Sequence, residues 1–201
     1  MNKISAQDIT AVILAGGQGR RMNGQDKGLL IYQGQAFVQH LVNTLTPQVN
    51  HVIINANRNQ AQYSKLTQCP VINDSFGYFA GPLAGILTGL QAAQTPYVLF
   101  VPCDVPYLPH FLVSRLAQHL IDYQSSISTV QDGQRTQYLF ALMQRDLQDN
   151  LHNYLQQNKH QVKAWYQQQQ VVEVNFSDCP QFFVNINTPT DLQTVIDVKT
   201  E

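Results

Sequence analysis

A chain of 201 residues with a formal net charge of −1 has room for one domain with a sizeable core, or at most two small ones. Because only 12% of the residues are charged, no basic face for nucleic acid and no polybasic patch for a membrane is expected. The three cysteines are widely spaced and form no C-x-x-C pair, which argues against a disulfide scaffold or a zinc site. Residues 1–8 lack the apolar centre of a secretion signal, so a cytoplasmic location is expected.

The first half of the chain predicts strands that alternate with helices. Apolar runs predict buried strands, and apolar residues at helical spacing predict helices. The predicted strands are 9–14, 52–54, 71–72 and 98–101, and the predicted helices are 35–46, 82–93 and 111–120. Strands and helices that alternate at this spacing predict a mostly parallel open sheet with helices on both faces.

The second half is less regular. It predicts strands at 126–130, 138–143 and 171–176, a helix at 147–157, an alternating apolar–polar segment at 182–187, and a last helix from Thr190 to Val198. No linker or repeat marks a domain boundary. The sequence therefore predicts a single α/β domain over residues 1–201.

A glycine-rich loop follows the first predicted strand. Residues 14–28 read L-A-G-G-Q-G-R-R-M-N-G-Q-D-K-G. Glycines let backbone N–H groups form a concave anion site, and Arg21 and Lys27 can neutralise phosphate charge. The spacing fits neither a dinucleotide-binding turn nor a P-loop, because Met22 replaces the third glycine and Gln25-Asp26 replaces the required Lys-Ser/Thr pair. A polyphosphate ligand is predicted; the alternative is an ordinary turn with solvated charges.

Polar or glycine residues follow each of the four predicted strands of the first half. They are Gly16-Gly17, Asn55, Asp74 and Asp104. In open α/β sheets, ligands bind at the edge where the carboxyl ends of the strands meet. Asp104, within P-C-D-x-P, is a candidate Mg²⁺ ligand, although an aspartate here can also cap a turn. Asn55 and Asp74 suit recognition of a base or ribose, or can satisfy backbone groups in their own loops.

These segments resemble a known family. The run L-A-G-G-x-x-x-R-M-x-G-x-D-K resembles the signature loop of the nucleotidyltransferases with a Rossmann-like single domain. The segments V-I-I-N-A-N-R (52–58) and V-N-I-N-T-P (184–189) are most similar to the molybdenum cofactor guanylyltransferases. Two departures are Asn23, where the family usually has glycine, and segment 133–139, which lacks the usual proline.

The resemblance implies a Rossmann-like nucleotidyltransferase fold and a specific reaction. The enzyme would transfer GMP from GTP to the terminal phosphate of molybdenum-molybdopterin, with Mg²⁺ as cofactor and pyrophosphate as the leaving group. Residues 8–108 would form a nucleotide-binding half, and 109–198 an acceptor-binding half. Transient contact with proteins that synthesise or accept the molybdenum cofactor is also implied.

The resemblance also assigns roles to individual residues. Catalysis would depend on Arg21 and Lys27, which hold the phosphates, and on Asp104, which binds both nucleotide and Mg²⁺. The remaining assignments are Leu14, Ala15, Gly16 and Gly17 for the nucleotide, Asn55 and Asp74 for the guanosine part, and Asn185 and Asn187 for the acceptor.

Two alternatives remain open. A sister enzyme would perform the same chemistry with CTP or with an isoprenoid or sugar phosphate. A nucleotide-binding regulator would have lost catalysis, although the presence of both Lys27 and Asp104 argues against it.

Overall fold

The structure, a computed structural model, describes residues 3–17, 25–76, 81–186 and 191. The strands in these ranges are β1 (Ile9–Leu14), β2 (Ile31–Tyr32), β3 (Gln35–Ala36), β4 (His51–Asn55), β5 (Val71–Ile72), β6 (Tyr97–Pro102), β7 (Ile127–Gln131), β8 (Thr136–Gln144) and β9 (Val171–Asn175). The α-helices are α1 (Phe37–Leu45), α2 (Gln60–Thr67), α3 (Pro82–Ala92), α4 (Leu112–Asp122), α5 (Gln148–Gln156) and α6 (Val162–Tyr166).

Seven of the strands form one twisted sheet in the order β5-β4-β1-β6-β8-β7-β9. The pairs β4–β5, β1–β4, β1–β6 and β7–β9 are parallel, whereas β8 runs antiparallel to both of its neighbours. The predicted mostly parallel sheet is therefore confirmed. Strand order reverses at β1, which places the carboxyl ends of β1 and β6 side by side at a position where α/β proteins bind ligands.

Helices cover both faces of the sheet, as predicted. Along β1, Ala11 and Ile13 pack on the face covered by α1, α2 and α4, and Val12 packs on the face covered by α3, α5 and α6. This alternation follows from the two-residue period of a strand, and because both faces are buried, β1 is apolar throughout its centre. The sheet thus carries one buried apolar cluster on each face.

The observed elements differ from the predicted ones in a few places. Helix α2 was not predicted because Tyr63 is its only buried residue, so the segment shows little helical periodicity. The short helix α6 and the separate hairpin of β2 and β3 were also not predicted. In the alternating segment 182–187, the residues up to Phe183 belong to a 3-10 helix, Pro180–Phe183, and not to a strand.

Other predictions concern the chain ends, the cysteines and membranes. The predicted helix from Thr190 to Val198 lies outside the described residues apart from Asp191. All three cysteines are free thiols, in agreement with the prediction. In the part of the chain that the structure describes, no helix is long and apolar enough to cross a bilayer.

Candidate active site

The candidate site lies at the edge of the sheet where β1, β4, β5 and β6 end. The Ala15 N–H donates to the Asn55 carbonyl at 2.8 Å, and the Cys103 N–H donates to the Leu14 carbonyl at 3.1 Å. These bonds extend the sheet ladder to its edge, so Leu14 and Ala15 are held between β4 and β6. Asn55 is the last residue of β4, not the first after it, and Asp104 follows two residues after β6.

Asn55 and Asp74 are in direct contact at this edge. The Asn55 Nδ2 donates to Asp74 Oδ1 at 3.0 Å, and the Asn57 Nδ2 donates to Asp74 Oδ2 at 2.7 Å. The Asp74 N–H donates in turn to Asn57 Oδ1 at 2.9 Å. Two amide side chains, one from the end of β4 and one from the connection that follows it, therefore fix the carboxylate of Asp74 in the connection after β5.

Two glycines, Gly85 and Gly16, bring the backbone close to these polar groups. A methyl group at Gly85, on the first turn of α3, would lie 2.5 Å from Asn55 Oδ1 and 3.0 Å from the Leu14 side chain. A methyl group at Gly16 would lie 3.1 Å from Asn57 Nδ2, whereas Gly17 faces a space that holds no described atom within 4 Å. The protein's own packing therefore requires glycine at Gly85 but leaves room beside Gly17.

Lys27 and Asp104 meet on the other side of the site. The Lys27 Nζ lies 3.1 Å from Asp104 Oδ2, and the two side chains are 21% and 15% exposed. The second carboxylate oxygen, Asp104 Oδ1, is buried and has no hydrogen-bond partner among the described residues. A buried carboxylate oxygen without a donor is suited to a cation, because an unpaired buried acceptor is costly.

The residue before Lys27 is also held by hydrogen bonds. Asp26 accepts from the Tyr63 hydroxyl through Oδ1, and Asn59 Nδ2 donates to Asp26 Oδ2 at 3.1 Å. The Arg58 guanidinium lies 3.5 Å from the same Oδ2 and donates to the Gln25 carbonyl at 3.0 Å. The start of the 3-10 turn Lys27–Leu29 is thereby tied to the β4–α2 connection.

Two buried groups near Lys27 stay protonated. Burial, together with the nearby Cys103 and Asp26, raises the pKa of Tyr63, so its hydroxyl remains a donor. Burial, followed by the charge of Asp104, raises the pKa of Cys103. Cys103 is therefore a poor nucleophile and packs in the apolar core next to the end of β6.

The residues that follow the 3-10 helix Pro180–Phe183 lie beside the site. The Ile186 N–H donates to the Asp104 carbonyl at 2.8 Å, which brings Asn185 beside the Asp104 loop. A cavity of about 320 Å³ opens here, between Pro82 of α3, Pro102 of β6, Asn185 and the start of β8 at Arg135 to Phe140. Another cavity, of about 400 Å³, lies at the opposite edge near Tyr97 and Gln144, away from Lys27 and Asp104.

The structure brings together most of the residues predicted for the site. Leu14, Ala15, Gly16, Gly17, Lys27, Asn55, Asp74, Asp104 and Asn185 all lie at this edge. Arg21 and Asn187 lie outside the described residues. Within the part of the chain that the structure describes, no three acidic, histidine or cysteine side chains converge on one metal position.

Sequence reasoning missed five residues that support the site, Asp26, Asn57, Arg58, Asn59 and Tyr63. Asp26 could have been noticed as the neighbour of Lys27, and the three residues 57–59 as a polar run after a buried strand. Tyr63 had no signal, because its helix was not predicted.

Comparison with known proteins identifies the family. The MobA-like NTP transferase domain matches residues 11–174. Molybdenum cofactor guanylyltransferase of Pasteurella multocida is 44% identical over 92% of this chain and 97% of that protein, and that of Shewanella frigidimarina is 43% identical over 94% and 95%. The crystal structure of molybdopterin-guanine dinucleotide biosynthesis protein A from Archaeoglobus fulgidus shares the fold, with a TM-score of 0.74, 21% identity and coverage of 94% and 97%. On the extent of these matches, the chain belongs to the molybdenum cofactor guanylyltransferase family of nucleotidyltransferases.

Proposed function

We propose that this protein transfers GMP from GTP to the terminal phosphate of molybdenum-molybdopterin, giving the guanine dinucleotide form of the cofactor and pyrophosphate. The observation that carries the proposal is the meeting of Lys27 with Asp104, at 3.1 Å, on the same sheet edge as the Asn55–Asp74 pair. Lys27 and Asp104 suit phosphates and a cation, and Asn55 and Asp74 suit the polar edges of a nucleoside. Family membership supports GTP and molybdopterin as the substrates.

The nucleotide would lie along the carboxyl ends of β1 and β4. Gly16 and Gly17 have no side chains, so the nucleotide could contact the protein backbone there. Lys27 and Arg21 would neutralise the charge of the triphosphate. Asn55 and Asp74 already hold each other in place, so they would meet guanosine without first being ordered. Asn55 is buried and Asp74 is half-buried, and polar groups of this kind discriminate against bases that leave them unpaired.

Asp104 would hold Mg²⁺ through the buried Oδ1 that has no donor among the described residues. Mg²⁺ takes one or two carboxylates together with substrate phosphates and water, so a single protein carboxylate suffices. When bound, the ion would offset negative charge on the phosphates of the leaving group.

The reaction would be an in-line displacement at the α-phosphorus. An oxygen of the molybdopterin phosphate forms a bond to this phosphorus as the bond to the bridging oxygen of pyrophosphate breaks. The attacking phosphate is already anionic near neutral pH, so no strong general base is needed, and the residues act by positioning and by charge neutralisation. Lys27 would stabilise charge that develops on the pyrophosphate oxygens.

The acceptor would occupy the cavity of about 320 Å³ between Pro102, Asn185 and the start of β8. Tyr138 lines it and packs edge-to-face on the buried Tyr166, whose hydroxyl donates to the Tyr138 carbonyl at 2.8 Å. An aromatic side chain held in this way offers a face for a planar heterocycle. Arg135, on the same wall, would attract a phosphate.

This arrangement supports the division into a nucleotide-binding half at residues 8–108 and an acceptor-binding half at 109–198, with Asn185 and Asn187 on the acceptor side. The division stays a prediction. So do the cytoplasmic location and the transient contacts with other proteins of molybdenum cofactor synthesis.

Pyrophosphate release tests the proposal. The protein would be incubated with GTP, CTP, ATP or UTP, with and without molybdenum-molybdopterin, and with Mg²⁺ or with chelator. Release with GTP alone, dependent on acceptor and Mg²⁺, is expected. Release with CTP would indicate the sister enzyme, and nucleotide binding without any release would indicate a regulator.

A further inference from the structure

Asp26 is almost completely buried although it carries an acidic side chain in a glycine-rich loop. Its side chain is 5% exposed and is surrounded by donors from three residues of one neighbouring segment, Arg58, Asn59 and Tyr63. Tyr63, in α2, is itself fully buried in the apolar cluster on the α1 face of the sheet. Both carboxylate oxygens already accept hydrogen bonds from the protein, so direct binding of a substrate does not explain this side chain.

The backbone around Asp26 is tied at several points. The Leu29 N–H donates to the Asp26 carbonyl at 3.1 Å, which closes the turn that carries Lys27. A methyl group at Gly28 would lie 2.5 Å from the Tyr63 hydroxyl oxygen, so glycine is required here for the hydroxyl to reach Asp26. Residues 25–29 are thus packed onto α2 and its preceding connection.

We propose that Asp26 and Tyr63 are positioning residues that hold Lys27 against the phosphates of GTP. The inference rests on the proposed function, in which Lys27 contacts the triphosphate. Lysine has a long flexible side chain, so its ammonium group can occupy a defined position only if its backbone is held in place. Hydrogen bonds to a carboxylate are directional and short, and two of them together with the Arg58 ion pair fix the loop more strictly than an apolar contact would.

The same segment also holds the nucleoside side of the site. Asn55 and Asn57 bind Asp74, and a few residues later Asn59 and Tyr63 bind Asp26. The two ends of the nucleotide site therefore share one support but use separate hydrogen bonds. Loss of the Tyr63 hydroxyl should affect the phosphate end alone.

The substitution Tyr63→Phe tests this directly, because it keeps the buried ring and removes only the donor. We expect the dissociation constant for GTP, measured by calorimetry without acceptor, to rise about tenfold, and kcat to fall. The dissociation constant for guanosine, which has no phosphate, should stay unchanged. Asn59→Gly is a second variant, because glycine tolerates the backbone φ of 53° at this position and lacks the side-chain donor.

Tyr154→Phe is the matched control. Tyr154, in α5, is also buried, and its hydroxyl donates to the Gln161 carbonyl at 3.3 Å. It lies on the face of the sheet opposite to α2 and Tyr63. Its removal should leave both dissociation constants unchanged, so a general effect of losing a buried tyrosine hydroxyl can be recognised.

A double-mutant cycle distinguishes positioning from a structural role. In a Lys27→Ala background, Tyr63→Phe should cause no further loss of GTP affinity, because the group that it positions is gone. An equal loss in both backgrounds, or a parallel loss of guanosine affinity, would overturn the inference. The inference would also be overturned if Tyr63→Phe bound GTP as tightly as the wild type does, provided that the wild type binds GTP more tightly than guanosine. A wild type without that preference would contradict the proposed function itself.

Discussion

Asp104 is the residue on which the two parts of the proposed chemistry converge. One of its oxygens contacts Lys27, the other is buried without a donor among the described residues, and its backbone carbonyl accepts from Ile186. A single residue thus lies beside the proposed phosphate site, the candidate cation position and the proposed acceptor segment. We expect its side chain to affect the proposed chemistry more than folding, because its ion pair lies at a partly exposed position.

We expect Asp104→Ala to lower kcat by about 100-fold or more, because a group that offsets developing charge is lost. The melting temperature should change little. Steady-state pyrophosphate release and differential scanning calorimetry measure the two quantities, with Asp122→Ala, at the exposed end of α4, as control. Normal turnover in Asp104→Ala would remove this residue from the metal site.

Two glycines of α3 offer a matched test of close packing. A methyl group at Gly85 would lie 2.5 Å from Asn55 Oδ1, and one at Gly89 would lie 2.6 Å from the Phe100 ring. Both substitutions to alanine should destabilise the fold by about 1–3 kcal/mol, since overlap outweighs the gain in helix propensity.

Only Gly85→Ala should weaken GTP binding, about tenfold, because it displaces a hydrogen-bonding amide of the nucleoside site. Urea denaturation and calorimetric titration with GTP separate the two effects. Equal GTP affinities for Gly85→Ala and Gly89→Ala would mean that Asn55 does not contact the nucleotide.

At the scale of elements, the β7–β8 hairpin depends on Asp132. The N–H groups of Gln134 and Arg135 each donate to Asp132 Oδ1 at 2.8 Å, and the Gln137 amide donates to Oδ2 at 2.6 Å. Burial opposes the charged form, but these hydrogen bonds outweigh it and hold the pKa of Asp132 below its usual value of 3.8. The turn thereby fixes Arg135 and Tyr138 at the candidate acceptor cavity.

The sign of the pH dependence follows from this lowered pKa. The contribution of Asp132 to stability is fully present above its unfolded-state pKa and is lost as the pH falls through the lower folded-state value. In NMR titrations, the Gln134 and Arg135 amide shifts should therefore move with a midpoint below pH 3.8. They should show no such step in Asp132→Ala. A midpoint at or above 3.8 would contradict the role assigned to these hydrogen bonds.

At the scale of the whole molecule, the two proposed halves contribute to the same apolar clusters. The apolar cluster on the α1 face joins Leu41 and Ile13 from the first half with Leu116, Phe140 and Phe183 from the second. The opposite cluster likewise joins α3 with α5 and α6. The halves therefore differ in proposed role but are not expected to unfold separately.

Leu41→Ala tests this cooperativity across the sheet. Leu41 is fully buried in the first half, and the only tryptophan, Trp165, is fully buried in the second half on the other face. The substitution should lower the free energy of unfolding by about 2–5 kcal/mol. Trp165 fluorescence and far-ultraviolet circular dichroism should show the same shifted urea midpoint. Leu41→Met, which keeps volume, is the control, and a separate early transition that Trp165 does not sense would contradict a single unit.

The sequence was sufficient to predict strands β1, β4, β5 and β6, helices α1, α3 and α4, and the sheet edge at which the candidate site lies. The reason is physical: both faces of a parallel sheet are buried, so its strands are short apolar runs, and glycines and polar side chains follow them where the chain must meet a ligand. The glycine-rich loop (14–28) and the V-I-I-N-A-N-R segment (52–58) are each continuous in the chain, so the family could be inferred from the sequence without knowledge of long-range contacts.

Only the tertiary structure decided which polar residues touch each other. The contact of Lys27 with Asp104 joins residues 77 positions apart, and that of Asp26 with Tyr63 joins residues 37 apart. No local pattern encodes such pairs, because they depend on the order of strands in the sheet and on where α2, a helix with little periodicity, packs. The insertion of antiparallel β8 beside β6, which forms one wall of the candidate acceptor cavity, was likewise decided by long-range pairing and not by local propensity.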